Sequence, residues 1–69
     1  MRTVLEKRSF SLSGHRTSVA LEKEFWAALE EIAKAEGATL SAMVTRLDAR
    51  RSEGQPLASA LRVFALLAR

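Results

Sequence analysis

Sixty-nine residues make a single domain whose own core is small, and domains of this size are usually reinforced by disulfides, a metal or a second chain. With no cysteine and one histidine, His15, the first two devices have no support, and oligomerisation is the expected one. The net charge of +3 sits wholly in the first third: residues 1–21 carry Arg2, Lys7, Arg8 and Arg16 against Glu6 alone, whereas residues 22–69 balance, which is the charge pattern of a surface for a polyanion.

Residues 1–14 read as a basic, partly extended arm, with residues 1–8 expected to be mobile. From Arg8 to Ser13, Phe10 and Leu12 alternate with Ser9, Ser11 and Ser13, a short run of strand period. Gly14 permits a turn or a kink. Charges at positions 2, 6, 7 and 8 interrupt any apolar segment, so no secretion signal is expected. No run reaches the ~18–20 apolar residues of a membrane span, and the expected location is cytoplasmic.

His15–Leu21 alternates again, with Thr17, Val19 and Leu21 on one face and Arg16, Ser18 and Ala20 on the other. A helix is expected over Glu22–Glu36. Phe25, Leu29, Ile32 and Ala33 line one side of it, Trp26 widens that side, and Gly37 ends the helix. Thr39 can cap a second helix from Leu40 to about Ser52, with Met43, Val44 and Leu47 facing inward. Glu53-Gly54-Gln55-Pro56 breaks the chain. The third helix, Leu57 to about Ala68, presents Leu57, Ala60, Leu61, Phe64 and Leu67, and Val63 and Leu66 widen that face. A helix this apolar must pack on something.

The expected order is strand, helix, helix, helix in residues 15–69. The strand has no partner inside the chain unless Arg8–Ser13 folds back on it. An open strand exposes unpaired backbone groups. Pairing it with its copy in a second chain closes the ladder and lays Thr17, Val19 and Leu21 over the helices.

This order, with GATLSAM at the turn between the first two helices, resembles the ribbon-helix-helix family of prokaryotic DNA-binding proteins. The stretches GHRTSVALEKEFWAALEEIAKAEGATLSAMV and LASALRVF are similar to a subfamily of short stand-alone members, over about residues 7–66. The resemblance implies a mainly α fold with one β-strand, β-α-α plus a C-terminal helix. It implies an intertwined homodimer whose strands form a two-stranded antiparallel intersubunit ribbon. That ribbon would read bases in the major groove through Arg16, Ser18 and Ala20. Thr39, Leu40 and Ser41 would hold a phosphate at the start of the second helix, and Lys7, Arg8 and His15 would add backbone contacts. Val19, Leu21, Trp26, Leu29, Ile32, Val44 and Leu47 would form the dimer core.

The residue chemistry suits these roles. An arginine can donate two parallel bonds to guanine O6 and N7, a serine can meet several base edges, and Ala20 can only touch a thymine methyl. Free amides at a helix start attract phosphate. The expected function is a sequence-specific double-stranded DNA-binding transcriptional regulator, a repressor, with tetramers or larger assemblies formed through the third helix. Two other readings compete with it: an antitoxin of the same fold, and a helical interaction dimer that binds no nucleic acid. No enzyme, cofactor, metal, membrane or small-molecule substrate is expected, because no nucleophile–base pair or ligand cluster is present.

Overall fold

The computed structural model describes residues 4–68. The part of the expected arm before Val4, with Arg2, lies outside them. Two strands, β1 (Leu5–Leu12) and β2 (His15–Glu22), precede three helices, α1 (Lys23–Glu36), α2 (Leu40–Arg50) and α3 (Leu57–Leu67).

The strands form an antiparallel hairpin closed by Ser13 and Gly14. Both turn residues have positive φ, 51° and 81°, the handedness whose twist matches that of the flanking strands. The register pairs Leu12 with His15, Phe10 with Thr17 and Arg8 with Val19, and continues to Leu5 with Glu22. Phe10, Leu12, Val19 and Leu21 therefore share the face over the helices, and all four are buried.

Here the structure departs from one expectation and takes up an alternative left open above. The segment from Leu5 is strand, not a mobile arm. Within this one chain β2 takes β1 as its partner along one edge, the fold-back alternative. The physical reason lies at Trp26. Its indole Nε1 donates to the Glu6 carbonyl at 2.7 Å, and the Arg8 guanidinium lies 4.9 Å from the centre of its ring. Arg8 also bonds Glu6 at 2.7 Å and Glu30 at 3.0 Å. The core-side positions of β1 nearest its start are thus charged residues, held by an aromatic ring with a polar edge. An apolar alternation does not reveal such a strand.

The helices close the opposite side. In α1, Trp26, Leu29 and Ala33 are buried, while Phe25 and Ile32 flank them half-buried. Gly37, at φ 71°, ends the helix, and the Ala38 amide returns to the Ala33 carbonyl at 2.9 Å. Met43 and Val44 of α2 are fully enclosed, with Leu47 half-buried beside them. Leu61 and Ala65 of α3 are buried, and α3 packs on α1, α2 and β2. Leu67, expected on the buried face of α3, is 77% exposed, because it lies in the last turn, beyond Ala65. No described buried side-chain polar atom lacks a hydrogen bond.

One chain buries a core of its own. Of the residues expected to form a dimer core, Val19, Leu21, Trp26, Leu29 and Val44 are buried here by their own chain, and Ile32 and Leu47 are half-buried. Glu22, at the junction of β2 and α1, bonds Arg62 of α3 at 3.1 Å, which ties the hairpin to the last helix.

Replacing Trp26 by Phe keeps an aromatic ring but removes the donor to Glu6 and part of the buried surface. The expected cost is about 2 kcal/mol, read from the denaturation midpoint, with faster amide exchange over Leu5–Arg8. An unchanged midpoint would mean that the indole bond does not hold β1.

Candidate nucleic-acid interface

The pleat that buries Phe10 and Val19 turns the other positions outward. On β2 these are Arg16, Ser18 and Ala20; on β1 they are Lys7, Ser9 and Ser11. Opposite one another stand Lys7 and Ala20, Ser9 and Ser18, and Ser11 and Arg16. Five of the six are exposed, and Ala20 is half-buried. A two-residue hairpin loop is closed by a hydrogen-bonded pair, so the ladder alternates outward from Leu12 and His15. Ser9 and Ser18 consequently form a non-hydrogen-bonded pair, the kind whose side chains approach most closely. Their hydroxyl oxygens are 3.1 Å apart and hydrogen-bonded.

The charge on this face is positive and unspent. Among the described residues, neither Lys7 nor Arg16 takes part in an ion pair, whereas Arg8, Arg46, Arg51 and Arg62 each do. The nearest carboxylate in the outward rows is Glu22, at the far end of β2 and bonded to Arg62. A hydrogen bond from its own backbone amide, then the bond from Arg62, hold that carboxyl below the ordinary carboxylate range. Its contribution to folding is full above the unfolded pKa and is lost as pH falls through the lowered one.

The structure separates the residues expected to touch DNA. Arg16, Ser18, Ala20 and Lys7 fall together on the outward face. Arg8 belongs to the opposite face, where hydrogen bonds to Glu6 and then Glu30 raise its pKa and fix it over Trp26. His15 also has the parity of the core side, at the turn end of β2, beside a groove lined by Asp48, Arg51 and Leu57. Arg8 does not share the outward face with Arg16, whereas the groove beside His15 is also lined by Ser18 and Ala20. Ser9 and Ser11, to which the sequence reading gave no role, lie on this same outward face. Their signal was present in the alternation opposite Phe10 and Leu12, and it places them beside Ser18 and Arg16 once Ser13-Gly14 is a hairpin turn.

At the start of α2, Thr39 adopts extended backbone, and its Oγ1 accepts from the Ala42 amide at 3.0 Å. That bond satisfies one of the free amides of the first turn. The amides of Leu40 and Ser41 remain directed along the positive end of the helix. The Thr39 hydroxyl keeps its hydrogen to donate, and the Ser41 side chain is exposed. Among the described residues no group of His, Cys, Asp and Glu could hold a metal ion, and no helix is long and apolar enough to cross a membrane.

A two-stranded antiparallel sheet laid over three helices, with a cationic outward face, defines a ribbon-over-helices architecture. The chain belongs to the ribbon-helix-helix domain family, whose sequence profile matches residues 5–68. Members of that family are non-enzymatic DNA-binding domains, regulators of transcription or antitoxins, and typically bind double-stranded DNA as dimers. Among solved structures, an uncharacterized protein from Bordetella pertussis Tohama I is similar, with a TM-score of 0.75 and 34% sequence identity over 90% of this chain. The match covers 53% of the Bordetella protein, so this chain spans about half that protein's length. No curated protein matches the chain.

Replacing Thr39 by Ala is expected to lower stability by about 1 kcal/mol, as loss of a side-chain cap does, and Thr39→Ser to restore most of it. Thermal unfolding of the two variants checks this; equal losses in both would show that the methyl group, not the cap, matters.

Proposed function

We propose that this protein is a sequence-specific double-stranded DNA-binding repressor of transcription, and that the outward face of its sheet is the reading surface. The observation that carries the proposal is the Arg16 guanidinium, without an ion-pair partner among the described residues, on the same outward face as Ser9, Ser11, Ser18 and Lys7, the other side of which is buried against the helices. Arg16 donates two bonds to guanine, Ser18 meets the neighbouring base edge, and Ala20 contributes at most contact with a thymine methyl. The amides of Leu40 and Ser41, with the Thr39 hydroxyl, take a phosphate. Repression requires only that the bound site be occupied.

The bound form in this reading is a homodimer. The hairpin ladder directs the backbone groups of Arg16, Ser18 and Ala20 away from β1. An antiparallel second copy on that edge gives a sheet with two β2 strands at its centre and a β1 strand on each flank. The central pair is then the intersubunit ribbon. The major groove, about 12 Å wide, admits two strands. Strands spaced about 4.8 Å apart put each β1 near a groove wall, where Lys7 meets phosphate. The exposed Val63, Leu66 and Leu67 of α3, next to an α1–α3 groove lined by Phe25, Ala28 and Ile32, supply an apolar contact between dimers.

Arg16→Ala is expected to cost about 1–3 kcal/mol at one base position and to relax preference there, as read by selection of bound sequences from random duplex DNA. A uniform loss over all sequences would make Arg16 a phosphate contact. Affinity for the selected site should fall steeply with salt as counterions are released, and absence of binding to any duplex at low salt would overturn the proposal.

The dimer makes a separate prediction. The melting temperature should rise with protein concentration, since association stabilises the folded chain. A concentration-independent transition, with a monomer in sedimentation even on DNA, would leave the in-chain hairpin as the whole ribbon.

A further inference from the structure

We infer that Ser9, on β1, is a specificity-determining positioning residue: its hydroxyl, bonded to that of Ser18, fixes what Ser18 offers to a base. The inference rests on the DNA-binding reading above and extends it to the strand outside the expected ribbon.

A lone serine hydroxyl on an exposed strand rotates freely and can act as donor or acceptor, so it discriminates poorly between base edges. Ser18 is not alone. Its Oγ lies 3.1 Å from the Oγ of Ser9, and the register holds the two directly opposite each other. One hydroxyl of the pair must donate to the other. If Ser9 donates, Ser18 keeps a hydrogen for an acceptor on the base; if Ser18 donates, it offers only lone pairs to a base amino group. In both cases one hydrogen or one lone pair of Ser18 is engaged within the protein, which narrows what Ser18 offers to a base. The turn makes this possible. With Leu12 and His15 hydrogen-bonded, Ser9 and Ser18 fall at a position where cross-strand side chains are closest. The neighbouring outward pairs join a serine to an arginine and a lysine to an alanine, so the central pair alone matches two short hydroxyls.

Ser9 is exposed and touches no core residue through this bond, so its removal is a test of reading rather than of folding. The experiment is selection of bound sites from random duplex DNA with the wild-type chain, Ser9→Ala, Ser9→Thr, Ser18→Ala and the double alanine variant. Ser9→Ala should relax preference at the base position that Ser18→Ala also relaxes, by about fivefold, the worth of one hydrogen bond. The Arg16 position and the salt dependence should be unaffected. Ser9→Thr, which keeps the hydroxyl, should restore the preference, and the double variant should be no worse than Ser18→Ala. An unchanged preference in Ser9→Ala would overturn the inference. So would an equal loss over all sequences, which marks a phosphate contact, or a change at a different base, which marks a direct reader. If the wild-type chain binds no duplex, the DNA reading itself has failed; if it binds and Arg16→Ala alters preference while Ser9→Ala does not, only this inference has failed.

Discussion

The register of the hairpin is the constraint on which the rest of this molecule depends. Ser13 and Gly14 form a turn of only two residues, both at positive φ, and it leaves the strands one way to pair. Because side chains alternate with period two, a slip of β2 by one residue would send Val19 and Leu21 to solvent and draw Arg16 and Ser18 onto the helices. Burial of Phe10, Leu12, Val19 and Leu21 enforces the same register from the other side. The turn and the core agree, and that agreement sorts Arg16, Lys7 and the serines onto one surface and Arg8 onto the other.

The third helix changes what a second chain is needed for. In the strand-helix-helix order alone, the face with Thr17, Val19 and Leu21 needs a cover from elsewhere. Here Leu61 and Ala65 of α3 help to provide it, and the Glu22–Arg62 bond fastens that helix to the start of α1. Folding of the hairpin and α1 is thereby coupled to a segment forty residues downstream of the strand. The proposed dimer edge of β2 then serves recognition more than core formation.

The sequence revealed the helices and β2 well because each announces itself by period and punctuation. Gly37 and Thr39 mark the first break, Gly54 and Pro56 the second, and the observed bounds differ from the expected ones by a residue or two. The outward row Arg16, Ser18 and Ala20 followed from alternation alone. What escaped was decided by contacts between distant residues. Nothing near Leu5 reports that the indole of Trp26 will hold the Glu6 carbonyl, twenty positions away. Nor does a run of basic residues disclose that Lys7 stays free while Arg8 is consumed by Glu6 and Glu30. Charge counted along a chain overstates the charge a partner can meet.

The outward face has a symmetry of its own. Its long cations stand at diagonal corners, Arg16 across from Ser11 and Lys7 across from Ala20, with the two serines at the centre. A half-turn about the Ser9–Ser18 pair exchanges cation for cation and small residue for small residue. Duplex DNA carries a local two-fold axis too, so in the DNA-binding reading shape and net charge alone would not tell the two directions of this face apart. Only chemistry breaks the tie: a guanidinium forks onto a guanine edge, whereas an ammonium is a point charge suited to phosphate. In the DNA-binding reading proposed above, the two ends of one chain's face differ only by the identity of these two residues, and Arg16→Lys with Lys7→Arg would exchange them while leaving the charge as it is.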